Sequence, residues 1–306
     1  MQKACFIISL DCEGKWGFAD RIGLSHDQVL THQNLHKAYD SILRTLADYN
    51  LKATFAFVAA FTLSEQDYLR QKIWFSERLF AGKNWLDHFK RQVEQENNTE
   101  GWFAPDIFVR VREHQQHEIA THGFTHLPFQ ESLTSRDAIE KELAGINAWA
   151  AWQGLDIKTM VFPRNRVGYT DLLVKAGIQA YRDMPLYFDM KPRWAAEALK
   201  YIEGTVSQPH PKAASPLKIP GGSLMAFRRQ YRLPPNFMIL KRWQAIIDHA
   251  VEHKQVAHLW MHPHNMIDGL DQAWLFREIL KYAAGYIEKG QLHNLTQQDY
   301  WSAYRG

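Results

Sequence analysis

The chain has 306 residues, 46% hydrophobic and 23% charged, an ordinary globular composition long enough for one large core. Its formal charge of +3 is small, and no run reaches five or six charges of one sign, so nothing argues for a nucleic-acid or anionic-membrane partner. No apolar stretch approaches the eighteen residues of a membrane span, and the opening Met1-Gln2-Lys3 before the first strand does not read as a secretory leader, so none is expected.

Cys5 and Cys12 lie seven apart on one expected strand, too far to bridge within it. This is no disulfide framework, and a reducing, cytoplasmic location is expected. Any surface glycan would then be met before export. The 11 Trp and 12 Tyr suit sugar stacking as well as core packing.

Residues 4–10 are continuously apolar, as a buried parallel strand requires, and Asp11 falls at its C-terminal end. Helical spacing runs over 27–49 (Leu35, Ala38, Ile42, Leu46), and 53–60 reads as a second buried strand. Residues 61–112 carry Trp74, Trp85 and Trp102 among polar residues. They read as an insertion with one or two helices, a lid or a subunit contact through which the chain could oligomerise. Glu118–Thr121 forms a short strand delivering His122. A helix covers 135–152, with Thr134 as N-cap and Gly154 past its end. A strand over 158–162 ends at Pro163-Arg164, a helix over 170–176 stops at Gly177, and 178–182 is another strand.

Residues 183–235 hold eight of the twelve prolines, which excludes a long helix or a central strand there. A helix over 237–253, a strand over 256–261 ending at His262, a helix over 272–287 and a short strand and helix over 292–304 complete the chain. Repeated β-α order, interrupted twice, predicts a parallel sheet or barrel with helices outside, in a single domain over 1–306.

Four strand ends carry reactive side chains. Period-two spacing puts Asp11 and Glu13 on one side of an extended strand end, costly unless they are solvated or bind a cation. His122 and His126 are four apart, and either a helical turn or a loop leaving a strand could aim both at one point. Carboxylate plus imidazoles suits zinc with open positions for water, and also admits cobalt, nickel, manganese or iron. A carboxylate that is not a ligand can take the water's proton. Arg164 and Arg166 place guanidinium groups at the same rim, where one could hold a carboxylate bidentately. His262 and His264 place imidazoles at another strand end, suited to protonating a departing nitrogen.

The ordered set of Asp11-x-Glu13, His122-x-x-x-His126, Pro163-Arg164 and a late strand ending in His262-Pro263 resembles the polysaccharide deacetylase (NodB-homology) family, spread over residues 7 to 265. Many members read Thr-Phe-Asp-Asp-Gly at the first motif. Here Cys12 separates the carboxylates, as in an atypical branch that includes some peptidoglycan deacetylases and allantoinase-like proteins. The resemblance implies a distorted (β/α) barrel of about seven strands, with irregular insertions at about 61–112 and 183–235. It implies a divalent metal, zinc foremost, on Glu13, His122 and His126. Asp11 would be general base, oriented by Arg164, and His262 general acid, with His264 as runner-up. The expected reaction is hydrolysis of an N-acetyl group on a sugar or glycan precursor, in surface-polysaccharide biosynthesis. A small-amide or ureide hydrolase of the allantoinase kind and a non-catalytic glycan-binding protein are the alternatives.

Overall fold

A computed structural model describes residues 3–185, 207–227 and 234–305. Strands β1 (Cys5–Cys12) and β2 (Thr54–Phe57) open the chain, and β3 (Leu79–Phe80) with β4 (Lys83–Asn84) forms a small antiparallel ribbon. There follow β5 (Glu118–Thr121), β6 (Thr159–Val161), β7 (Ala180–Arg182), β8 (Leu217–Ile219), β9 (Ser223–Leu224), β10 (Val256–Met261) and β11 (His293–Leu295). All but the ribbon join one parallel sheet in the order β8-β7-β6-β5-β2-β1-β10-β9, with β11 beside the first half of β1.

The two ends of that order, β8 and β9, are separated by only residues 220–222. Such a link spans at most roughly 14 Å, whereas eight strands laid flat would put the ends roughly 34 Å apart. The sheet therefore curls into a distorted barrel. Gly222 sits at this closure with φ of 63°, and a Cβ there would lie 2.1 Å from the His258 carbonyl oxygen. Its residue type is set by close backbone approach to β10.

Parity decides what lies inside. Along β1, Phe6, Ile8, Leu10 and Cys12 belong to the large core beneath the helices, whereas Cys5 and Ile7 belong to a separate interior cluster with Ala180, Leu217, Ile219 and Val256. Successive strand residues face opposite sides, so Ser9 and Asp11 continue the interior row. The same alternation turns Arg182 of β7 inward after Ala180, and His258 and Trp260 of β10 inward after Val256, while Tyr181, Ala257 and Leu259 join the outer core. Asp11 is paired in register with Ala56, and Ala56 with Ala120. Two small side chains beside Asp11 leave interior volume for longer ones.

The long helices supply the outer layer. The helix His32–Asp48 buries Leu35, Tyr39, Ile42 and Leu46, and starts at Thr31, whose hydroxyl accepts the Asn34 N–H. The expected single helix over 27–49 is thus broken at 30–31, after a short turn of helix Leu24–Val29. The helix Arg136–Gln153 is capped by Ser135 and not Thr134, because the Thr134 hydroxyl is taken by the Pro128 carbonyl. Gly154 ends it in the left-handed region.

Segment 61–112 contains the helices Glu65–Arg70, Asp87–Lys90 and Pro105–Glu113, and its aromatics pack inward. Phe75, Phe89 and Trp102 surround Trp16 with ring centroids 4.6–6.2 Å apart. Part of segment 183–235 lies outside the described residues. The rest supplies β8 and β9, so two barrel strands lie where the prolines argued for irregular chain. They are short and terminal in the order, where missing ladder hydrogen bonds are tolerated.

Candidate active site

Parallel pairing puts the C-terminal ends of β1, β5, β6, β7 and β10 on one rim. That rim brings together Asp11, Glu13, His122, His126, Arg182 and His262. Glu13 follows β1 in the turn that leads into a short helical segment, Gly14–Phe18. Its carboxylate is almost fully buried, with Oε2 3.3 Å from His122 Nε2 and 2.9 Å from His126 Nε2. Gly17 makes this placement possible, since a Cβ there would stand 2.1 Å from Glu13 Oε1.

The two histidines converge from a loop and not from a helix. His122 directly follows β5, and His126 adopts φ of 62°, uncommon for a side-chain-bearing residue. Buried Glu142 holds the loop: its Oε2 accepts the N–H groups of Phe124 and Thr125 at 2.9 Å, and its Oε1 accepts the Thr125 hydroxyl. Arg78 of the 61–112 segment lies 2.7 Å from Glu142, and the Trp85 indole N–H donates to the Thr125 carbonyl at 2.7 Å. The insertion thus braces the histidine loop.

His122 Nδ1 donates to the Val161 carbonyl at 2.8 Å, which leaves Nε2 as the lone pair facing Glu13. Neither ring nitrogen of buried His126 has a hydrogen-bond partner, although Nε2 lies against Glu13. Burial lowers its pKa to about 4, so the ring is neutral with a free lone pair at neutral pH. Burial pushes the Glu13 carboxyl up, but the imidazoles of His262 and His126 outweigh this and hold it well below the usual carboxylate range. One carboxylate and two imidazole nitrogens, gathered within 4.8 Å, are a donor set that fits a divalent transition ion.

Asp11 is set apart from this trio. Arg182 holds it with two bonds of 2.7 Å, Nη1 to Oδ1 and Nη2 to Oδ2. Burial pushes the Asp11 carboxyl up, and the Arg182 guanidinium more than reverses it, so the group is ionised at neutral pH. The same guanidinium donates to Ser9 Oγ at 2.9 Å and Asn165 Oδ1 at 2.8 Å, and lies 4.6 Å from the Trp260 ring centroid. Behind it, His258 Nδ1 donates to the Pro220 carbonyl at 2.6 Å, so His258 Nε2 accepts from the Ser9 hydroxyl at 2.9 Å. Burial and the nearby Arg182 bring the His258 pKa down to about 3, consistent with a neutral ring.

The expected contact from Arg164 to Asp11 is not made. Arg164 and Asn165 are consecutive left-handed residues, and across that turn the Arg164 side chain leaves the rim, pairs with Asp20 and lies 5.1 Å from the Trp85 ring centroid. Its neighbour Asn165 turns inward to Arg182 instead. His262 and His264 are also distinguished. His262 is 26% exposed, with Nε2 3.9 Å from Asp11 Oδ2 and 3.7 Å from Glu13 Oε1. His264 is buried, with its ring centroid 5.6 Å from that of Phe18, and burial lowers its pKa to about 3.

Residues 19–179, more than half of the chain, match the family model for polysaccharide deacetylase. The match includes His122 and His126; Asp11, Glu13, Arg182, His258 and His262 lie outside it. Among solved structures, a Mycobacterium smegmatis protein assigned to the polysaccharide deacetylases covers 100% of this chain and 91% of its own, at 14% identity and a TM-score of 0.63. A probable polysaccharide deacetylase from Pseudomonas aeruginosa PAO1 covers 98% and 91%, at 12% identity and 0.54. Puue allantoinase covers 98% and 90%, at 13% identity and 0.55. At these identities the likeness is one of fold. No curated protein sequence matches the chain.

Proposed function

The chain belongs to the polysaccharide deacetylase family, and from that premise we propose that it is a metal-dependent hydrolase that removes N-acetyl groups from a sugar or glycan precursor. One observation carries the reading. A donor trio of Glu13, His122 and His126 stands beside a separate carboxylate, Asp11, that is clamped by Arg182, and His262 lies opposite both carboxylates.

Glu13, His122 and His126 would hold the divalent ion, with zinc the preferred candidate. Bound there, it would supply a Lewis acid that polarises the amide carbonyl and makes water acidic enough to lose a proton near neutral pH. Asp11, kept ionised and aimed by Arg182, accepts that proton as the water oxygen adds to the carbonyl carbon. His262, at the open side of the site, delivers a proton to the amide nitrogen as the carbon–nitrogen bond breaks. The products are acetate and the free amine. His264 is assigned a supporting role, since a buried ring with a pKa near 3 carries no proton to give at neutral pH.

Cys5 and Cys12 are both buried free thiols. They support a reducing compartment, and a cytoplasmic glycan precursor of surface-polysaccharide biosynthesis is the substrate we favour. Among the described residues no helix is long and apolar enough to cross a membrane. The reading is tested by loading the full chain with zinc and measuring acetate release from N-acetylglucosamine oligosaccharides and nucleotide-linked N-acetyl sugars. Release that is lost in Asp11→Asn supports it. Turnover of allantoin without acetate release replaces it with the ureide-hydrolase reading, and carbohydrate binding without turnover replaces it with a glycan-binding role.

A further inference from the structure

A second cluster of metal-ligating side chains lies outside this site. His32 and His36 occupy one face of the helix His32–Asp48, a single turn apart. Asp106 reaches them from the first turn of the helix Pro105–Glu113. The three ligand atoms converge closely. His36 Nε2 is 3.1 Å from His32 Nε2 and 2.5 Å from Asp106 Oδ2, and His32 Nε2 is 3.0 Å from the same oxygen. Two imidazoles related by four residues on a helix, completed by a carboxylate, are a donor set for a divalent transition ion.

The spacing is close to what such an ion requires. Metal–ligand distances of 2.0–2.2 Å in a tetrahedron put neighbouring donor atoms about 3.3 Å apart. The observed separations reach that value by opening a few tenths of an ångström to about 0.8 Å, within the reach of side chains that are 23–48% exposed. The charge is also favourable. A cavity of about 200 Å³ beside His32 is lined by Glu65 and Glu100, and Glu100 Oε2 accepts the His32 backbone N–H at 2.6 Å. Carboxylates around a pair of imidazoles attract a cation, and the open side leaves positions for water.

We infer that His32, His36 and Asp106 form a second, structural binding site for a divalent transition ion such as zinc. An ion held there ties the start of one helix to the start of the other. Between those helices in sequence lies Gly101, whose carbonyl accepts the Lys15 N–H at 2.9 Å, so the tie also supports the segment that abuts the turn after Glu13.

The test is zinc stoichiometry on the untagged full chain, stripped with chelator and titrated with Zn²⁺ at neutral pH. Wild type is expected to bind two equivalents. His36→Ala and Asp106→Asn, two independent variants with partly exposed side chains, are each expected to bind one, while His126→Gln retains the equivalent that those two lose. Zinc added to His126→Gln should still raise its melting temperature, and zinc added to the double variant His36→Ala/His126→Gln should not. A single equivalent in wild type that disappears in His126→Gln overturns the second site, as do two equivalents that persist in His36→Ala and Asp106→Asn. A single equivalent that disappears only in His36→Ala supports this site while removing the metal from the proposed catalytic one.

Discussion

Arg182 grips Asp11 through two parallel N–H···O bonds of 2.7 Å, and both side chains are about 1% exposed. A bidentate pair fixes the direction of the carboxylate as well as its charge. Lysine cannot reproduce that fork. Arg182→Lys is therefore expected to lower kcat for deacetylation by about 10²-fold or more, in the range of a mispositioned general base, with KM little changed. Arg164→Lys alters a partly exposed pairing with Asp20 and a contact with the Trp85 ring, neither of which touches Asp11, and should stay within about threefold. Steady-state kinetics on both variants check the assignment, and equal losses would contradict it.

The line from Pro220 through His258 and Ser9 to Arg182 is a buried polar network with each of these links satisfied. Removing the middle hydroxyl leaves His258 Nε2 without its donor and Arg182 without one acceptor. Ser9→Ala is expected to cost about 1–3 kcal/mol of stability, measured by urea unfolding. His258→Gln combined with Ser9→Ala should cost less than the sum of the two single changes, because both disrupt the same link.

Gly17 tests the placement of Glu13 without altering a ligand. A methyl group there would meet the Glu13 carboxylate at 2.1 Å. Gly17→Ala should keep the circular dichroism spectrum of the wild type but lose zinc from the Glu13 site, with the equivalent bound by His32 and His36 unaffected. Retention of full stoichiometry and activity would show that Glu13 does not depend on that space.

Glu118 gives a pH signature away from the active-site rim. It lies on β5, accepts hydroxyls from Thr54 and Thr159 and the backbone N–H of Gln298, and is buried. Burial raises its pKa, and these hydrogen bonds offset that only in part. An acid whose folded pKa is raised contributes stability that is fully present below its unfolded value, about 4.3, and lost as pH rises through the folded value. The stability of wild type relative to Glu118→Gln should therefore fall above about pH 4.3, with a slope of at most about 1.4 kcal/mol per pH unit. Denaturant midpoints at pH 4 and pH 7 measure it, and a difference independent of pH would refute it.

Much of this was legible in the chain because strand ends are legible. An apolar run ending at Asp11, a short strand ending at Thr121 and a strand ending at Met261 placed Asp11, Glu13, His122, His126 and His262 on one rim, and the parallel sheet put them there. The error at Arg164 has a local cause. Its residue type and strand-end position suited the task, but the left-handed pair Arg164-Asn165 sends the guanidinium to Asp20 and the amide to Arg182, and no sequence pattern at 163–165 distinguishes that turn. Arg182 carried the same signal at the end of the next strand, with Ala180 and Tyr181 giving its inward parity. Ser9 and His258 were hidden inside apolar strands, where only the pairing of β1 with β10 shows that they meet. The strands β8 and β9 were masked by the prolines around them, since their role depends on closing the barrel and not on local propensity.

The most direct measurement of the central claim is acetate release from N-acetylglucosamine oligosaccharides by the zinc-loaded chain, run beside Asp11→Asn and the chelator-stripped protein. The arrangement of Asp11 against the Glu13, His122 and His126 trio predicts turnover by the loaded wild type, loss of at least about 10²-fold in Asp11→Asn with zinc still bound, and restoration of the stripped protein by added Zn²⁺. Acetate release that is unchanged in Asp11→Asn, or that persists undiminished without metal, would contradict it.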